Sequence, residues 1–482
     1  MDTEPNAALA AMSDISRAQF ADIVAAAAVD GVRFDTEPQD ATLGPAYIWQ
    51  AEHILVSPDV DENSDDFLRK VDAVLSTNLD GSPQQTAPDR VKLLTVAPGT
   101  DVRTLVDSLN EQFRATKVWL NYLVSITAPA QPDPVNLCPA DEPRPVRPYP
   151  ATVPYPPPSS GMYGHDVTVE VIDTGLTPGW ETDHPWLYDA DRQPPTDVSG
   201  DLGETIGQDD QIEVYAGHGT FIAGIVRCVA PRARVHVSNT LRWAGAMTEF
   251  EVANVVHAQL DAGSQPDIIS LSAGCATLTG QPPQTMVDVL ARLRAPACRT
   301  LLVAAAGNDG RGPATGTAGT FYPAAFAGPD PYSADHVVVA VGALRADRLG
   351  RACFSNYENW VTVYEDGERL VNAFPTGKYT CHEPRTSPPV CVYHSGLEDG
   401  CTCVTAAAKG AHLRFNGMAE WSGTSFAVPV IVGRVARHLT DDPTRFNGDP
   451  RAAWADLVPR MKEIPDAGDG IPLNIFPVPA GG

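Results

Sequence analysis

No uninterrupted apolar run in the 482 residues approaches the ~18 needed to cross a bilayer, so no membrane span is expected. An export signal is also missing. Met1-Asp2-Thr3-Glu4-Pro5 is acidic where a basic segment belongs, and Asp22 interrupts the apolar stretch from Phe20 to Val29. A chain that opens on Met without such a signal is expected in the cytoplasm. Basic residues are scarce: 34 Lys and Arg against 60 Asp and Glu leave a net charge of −26, which argues against nucleic acid or an anionic membrane as the main partner. The nine cysteines are an odd number, and without an export signal reduced thiols are the default.

What is present is a globular composition, 43% hydrophobic and 20% charged, in a chain long enough for two or three domains with their own cores. Residues 1–127 read as a small α/β domain. An Ala-rich helix from Ser13 to Val29 is followed by strands at Ala46 to Ser57, Val91 to Val96 and Lys117 to Ile126, with helices at Ser64 to Leu75 and Asp101 to Phe113. Residues 128–160 are saturated with proline and read as an extended linker. Residues 161–450 form the larger domain, and 451–482 a C-terminal extension. In the larger domain, apolar strands alternate with helices of roughly ten to fifteen residues, which predicts a mostly parallel sheet covered by helices on both faces.

Four short stretches fall at strand ends or helix starts, where such sheets place their sites. The strand Asp166 to Ile172 runs into Asp173-Thr174-Gly175. Gly217-His218-Gly219-Thr220 opens an apolar helix. The strand from Thr300 to Ala306 ends in Gly307-Asn308-Asp309-Gly310. Gly423-Thr424-Ser425-Phe426-Ala427-Val428-Pro429 sets a serine at a helix N-terminus, where free N–H groups and the helix dipole favour negative charge. Each alone is weak: Asp-x-Gly and Gly-Asn-Asp-Gly are ordinary turn sequences, a His between glycines is usually a solvent-facing turn residue, and Thr or Ser commonly caps a helix.

Together, and in this order, they resemble the subtilisin-like serine proteases, the subtilases. The resemblance covers about residues 164 to 440 apart from an insertion, with lesser matches at Val229-Ala230-Pro231, Tyr322-Pro323-Ala324 and Phe354-Ser355-Asn356-Tyr357. It implies Ser425 as nucleophile, His218 as general base, Asp173 as the group that orients the imidazole, and Asn308 as an oxyanion-hole donor. It also implies Ser272, Ala273 and Gly274 as the edge that pairs with substrate backbone, with Ala305, Ala306 and Gly307 walling the pocket for the residue before the scissile bond. The substrate would then be an extended polypeptide. No cofactor is required, and calcium is possible by resemblance without an assignable ligand set. The chain departs from the family at Phe426, at Val430 and at Tyr364-Glu365-Asp366-Gly367.

The insertion, about residues 368–417, carries Cys381, His382, Cys391, His394, Cys401 and Cys403. Their spacing fits no standard zinc knuckle, and free thiols in a loop are expected ahead of a disulfide or a metal. An esterase with a nucleophile elbow fails on order, because His438 follows Ser425 with no acidic residue between them. A peptide ligase or macrocyclase working through the same acyl-enzyme, and a non-catalytic binding module on this fold, remain alternatives to a hydrolase. Residues 1–127 read either as a propeptide-like cover of the cleft or as a permanent domain that binds a regulatory partner.

Overall fold

The computed structural model describes residues 14–37, 47–61, 67, 90–126, 142–146, 154, 163–187, 198–203, 210–263, 265–308, 310, 320–328, 336–382, 410–466 and 470–477. The helix expected at Ser64 to Leu75 lies outside them except for Phe67. So do Cys391, His394, Cys401 and Cys403 of the insertion.

A sheet with nine strands among the described residues organises the larger domain. Across it run Lys462–Pro465, Pro472–Ile475, Val363–Asp366, Val338–Leu344, Leu301–Ala305, Ile268–Leu271, Thr168–Asp173, Arg234–Asn239 and Val198–Gly200. Every neighbouring pair is parallel except the first two strands. The central strands are buried throughout, Leu301–Ala305 and Val338–Leu344 completely, as expected of near-continuous apolar runs covered on both faces. Two helices, His218–Val229 and Thr424–Asp441, pack against each other; at Gly433 a Cβ would sit 2.5 Å from the Val229 Cβ, so the glycine permits the close approach.

The C-terminal extension is not an appendage. Its strand Pro472–Ile475 joins the sheet beside Val363–Asp366, and Arg351 reaches the buried Asp466 carboxylate at 2.6 Å. The departure at Tyr364-Glu365-Asp366-Gly367 is this sheet strand, with Glu365 fully buried and paired to Arg348 at 2.8 Å and to Arg434 at 2.7 Å.

The insertion also differs from expectation. Its ends are strands, Leu370–Thr380 and His412–Trp421, forming a long antiparallel hairpin whose second strand leads into Ser425. Part of the proline-rich linker completes this second sheet: Arg144–Pro145 pairs along His412–Trp421, and buried Glu142 accepts from the His382 N–H at 2.6 Å and the Tyr379 hydroxyl at 3.3 Å. Proline is tolerated there because the strand is at the edge. Cys381 is a free thiol; burial, then the charge of Glu142, pushes its pKa up to about 11.

In the first domain, helix Asp14–Val29 and helix Val102–Phe113 form as read, the second capped by the Asp101 carboxylate on the Thr104 N–H. Two expected strands are each broken. Ala46 to Ser57 divides into Tyr47–Gln50 and His53–Val56, because Glu52 turns the chain at φ 59. Lys117 to Ile126 divides into Val118–Trp119, which pairs with His53–Val56, and Leu123–Ser125, which leaves the domain to pair with Ala246–Thr248. No helix among the described residues is long and apolar enough to cross a membrane.

Candidate active site

Asp173, His218, Asn308 and Ser425 lie at the C-terminal edge of the large sheet as two bonded groups, Asp173 with His218 and Asn308 with Thr424 beside Ser425, and the Phe426 ring packs against the imidazole. Asp173 is the last residue of a central strand and has no exposed surface. Its Oδ1 accepts from the Thr174 N–H at 2.8 Å and lies 2.8 Å from His218 Nδ1, so the carboxylate selects the tautomer with the proton on Nδ1 and leaves Nε2 as an acceptor. Gly217, the N-cap before the histidine, has φ 83, and a Cβ there would lie 2.4 Å from Pro375 of the hairpin; only glycine admits both. The His218 ring is walled by Trp421 and Phe426, with centroids 5.6 and 5.2 Å away.

Ser425 stands in the first turn of Thr424–Asp441 and is buried. Its hydroxyl donates to the Ser272 carbonyl at 3.2 Å, and the Ser272 hydroxyl donates back to the Ser425 carbonyl at 2.9 Å. The second bond has a cause in sequence. Pro429, four residues on, has no N–H to give the Ser425 carbonyl, and Ser272 takes the vacant place.

Asn308 is oriented through Thr424, whose N–H and hydroxyl both donate to its Oδ1, at 2.9 and 2.8 Å. Its Nδ2 lies on the Gly423 side, 3.5 Å from where a Cβ of that glycine would be. Gly307, at φ 100, donates its N–H to Thr424 Oγ1, and Asn356 closes the loop by bonding the Ala306 and Gly307 carbonyls. Ala305 and Ala306 are buried at the end of their strand, adjoining this loop.

Ser272, Ala273 and Gly274 follow the strand Ile268–Leu271, and the edge they form carries a guest. Ser125 of the first domain exchanges both main-chain hydrogen bonds with Gly274, each 3.0 Å. On its other side Leu123–Ser125 pairs antiparallel with Ala246–Thr248, and the Ile126 N–H donates to Gly245 at 3.0 Å. Residues 123–126 therefore lie as the middle strand of three, all buried. Since the register is antiparallel through Gly274, the segment runs toward Ser272, and Ser272 touches Ser425.

Glu249, the first residue of helix Glu249–Asp261, escaped sequence reading. Its carboxylate is wholly buried, accepts from the Tyr122 N–H at 3.0 Å and from the Thr285 hydroxyl, and has no ion pair among the described residues. Desolvation raises its pKa to about 7. A glutamate after a capping threonine reads as an exposed first-turn acid, and nothing local announces its burial. Among the described residues no three His, Cys, Asp or Glu side chains converge as a metal site.

Residues 164–458 match the model of the subtilase family, Peptidase S8. The chain is 27% identical over 233 residues to the major intracellular serine protease of Bacillus subtilis (strain 168), covering 46% of this chain and 64% of that one. It is 28% identical over 229 residues to an intracellular serine protease of Paenibacillus polymyxa, covering 45% and 61%. The chain thus spans less than two thirds of the length of these relatives. A solved cold adapted subtilisin-like serine proteinase aligns with 66% of this chain and 90% of its own at 20% identity and a TM-score of 0.42.

Proposed function

The chain belongs to the subtilase family, and from that premise we propose that it is a serine endopeptidase acting on extended polypeptide segments, kept latent by its own N-terminal domain. The observation that supports this reading is the β-paired segment 123–126 lying along the edge at Gly274 that leads to Ser272 and its bonded neighbour Ser425, with the buried Asp173–His218 pair packed on Phe426 and Asn308 bonded to Thr424.

In the reaction, the Ser425 hydroxyl turns from the Ser272 carbonyl to His218 Nε2, gives up its proton there, and Oγ bonds to the substrate carbonyl carbon. Asp173 holds Nδ1–H and stabilises the imidazolium. The Asn308 amide and the Ser425 N–H receive the oxyanion. The imidazolium proton passes to the leaving amine as the C–N bond breaks, and water, activated by the same imidazole, releases the acyl group. A substrate takes the path of residues 123–126, between Gly245–Thr248 and Gly274, so the first domain acts as a competing occupant. Similarity to intracellular relatives, together with free thiols at Cys228, Cys275, Cys298 and Cys381, supports a place inside the cell.

Intact-mass analysis with a fluorophosphonate probe tests this. Ser125→Pro removes the N–H that bonds Gly274 and opens the cleft, so the full-length variant is expected to gain a single adduct faster than the wild type. Adding Ser425→Ala should abolish the adduct; an adduct that persists there refutes the assigned nucleophile.

A further inference from the structure

Beyond the four residues beside the catalytic edge, the occupied cleft continues to a second point of recognition. Tyr122, three residues before the Gly274-paired Ser125, bridges to Trp49 in its own domain and makes three hydrogen bonds to the larger one. Its N–H donates to Glu249 Oε1 at 3.0 Å, its carbonyl accepts the Glu249 N–H at 2.8 Å, and its phenol oxygen accepts the Leu278 N–H at 3.2 Å. The ring is 6% exposed. Asn121, one residue earlier, accepts the Phe250 N–H on its Oδ1 at 3.2 Å, so the segment engages the first two N–H groups of helix Glu249–Asp261.

The receiving loop is braced without the guest. Thr277 Oγ1 donates to the Gln281 carbonyl at 2.6 Å and the Tyr322 hydroxyl to the Gly280 carbonyl at 3.2 Å, while Cys275 and Tyr322 exchange main-chain bonds at 2.9 Å. Glu249 is likewise fixed by Thr285. A site whose donors and acceptors are held by their own domain loses little freedom when a ligand arrives.

We propose that Glu249, Phe250 and Leu278 form a remote subsite that selects polypeptides carrying Asn-Tyr, the tyrosine three residues before the one that pairs with Gly274. This rests on the reading of the cleft as a substrate channel. Main-chain pairing along Ala246–Thr248 and Gly274 accepts any sequence. The Leu278 N–H instead asks for an acceptor at the end of an aromatic ring, which phenylalanine lacks and alanine cannot approach.

The test uses full-length protein carrying Ser425→Ala, which prevents turnover, and Tyr122→Ala, which loosens the resident segment. Tyr122→Phe replaces the latter if Tyr122→Ala does not fold. Fluorescence anisotropy measures binding of a labelled peptide Asn-Tyr-Leu-Val-Ser-Ile and of its Phe and Ala counterparts at the tyrosine. The tethered segment lowers all three affinities by one factor, so their ratio is the readout. The Phe peptide is expected to bind about fivefold more weakly, one neutral hydrogen bond, and the Ala peptide about a hundredfold more weakly, the loss of a buried ring. Binding within twofold across the three peptides, or no binding by any, overturns the subsite. Because binding needs no chemistry, a tyrosine preference in a protein whose Ser425 form fails to hydrolyse peptides upholds the subsite and refutes only the protease reading.

Discussion

Raising the pH from 5 to 8 is expected to loosen residues 122–126 from the cleft, and Glu249 is the group responsible. With the segment docked its carboxyl is 0% exposed, and burial lifts its pKa from the usual 4.5 to about 7. The thiol of Cys275, Asp288 on the neighbouring helix, Thr285 and Tyr122 face it; the hydrogen bonds from Thr285 and Tyr122 offset part of the shift, and the charge of Asp288 adds to it. When the segment leaves, water is expected to reach the carboxylate and its pKa to fall back toward the ordinary value. Docking therefore takes up a proton. The stabilisation is complete below pH 4.5 and is lost as the pH rises through about 7. A rise from 4.5 to about 7 is worth about 3 kcal/mol in full, most of which, on the order of tens of fold in the docking equilibrium, falls between pH 5 and 8. Hydrogen exchange reads this directly through the amides of Ser125 and Ile126, which donate to Gly274 and Gly245. After correction for intrinsic exchange, their protection should fall with pH in Ser425→Ala protein and stay nearly level when Glu249→Gln is added. Parallel pH curves for the two proteins would refute the linkage.

Three further outcomes are expected. In protein freed by Ser125→Pro, Ser425→Ala should cut kcat on the order of a million-fold and Asn308→Ala about a hundred- to a thousand-fold, the scale of such losses in subtilisin itself; losses below about tenfold in peptide hydrolysis would contradict the site. Asp466→Ala takes the carboxylate partner from the buried Arg351 guanidinium, 3% exposed, and should cost about 3 kcal/mol in denaturant unfolding if the C-terminal strands are integral to the sheet. Gly433→Val drives new methyl groups into Val229 and should destabilise by about 3 kcal/mol or more, seen as a lowered unfolding midpoint; an unchanged midpoint would mean the two helices are not in that contact.

The strand ends were legible because each candidate residue sits in a stretch that carries its own turn chemistry. Asp173 closes an alternating apolar strand before Thr174-Gly175, and Gly217 before His218 admits the positive φ that starts the helix. The broken strands were not legible. Val118–Trp119 and Leu123–Ser125 share one apolar pattern, and they part only because the first finds its partner inside its own domain and the second across the boundary. Arg144–Pro145 and Glu142 look like linker by composition; they become structure because an edge of the hairpin is there to receive them.

The same division runs through the site. Sequence by itself determined the alternation of apolar strands and helices, the order and local setting of Asp173, His218, Asn308 and Ser425, and the bond that Pro429 denies to Ser425, all of which depend on residues within a few positions of one another. Tertiary structure alone decided that Ser125 fills the edge at Gly274, that Glu249 is buried beneath Tyr122 with a raised pKa, and that residues 472–475 finish the sheet. Burial and strand pairing depend on which distant surfaces meet, and no short stretch of chain carries that information.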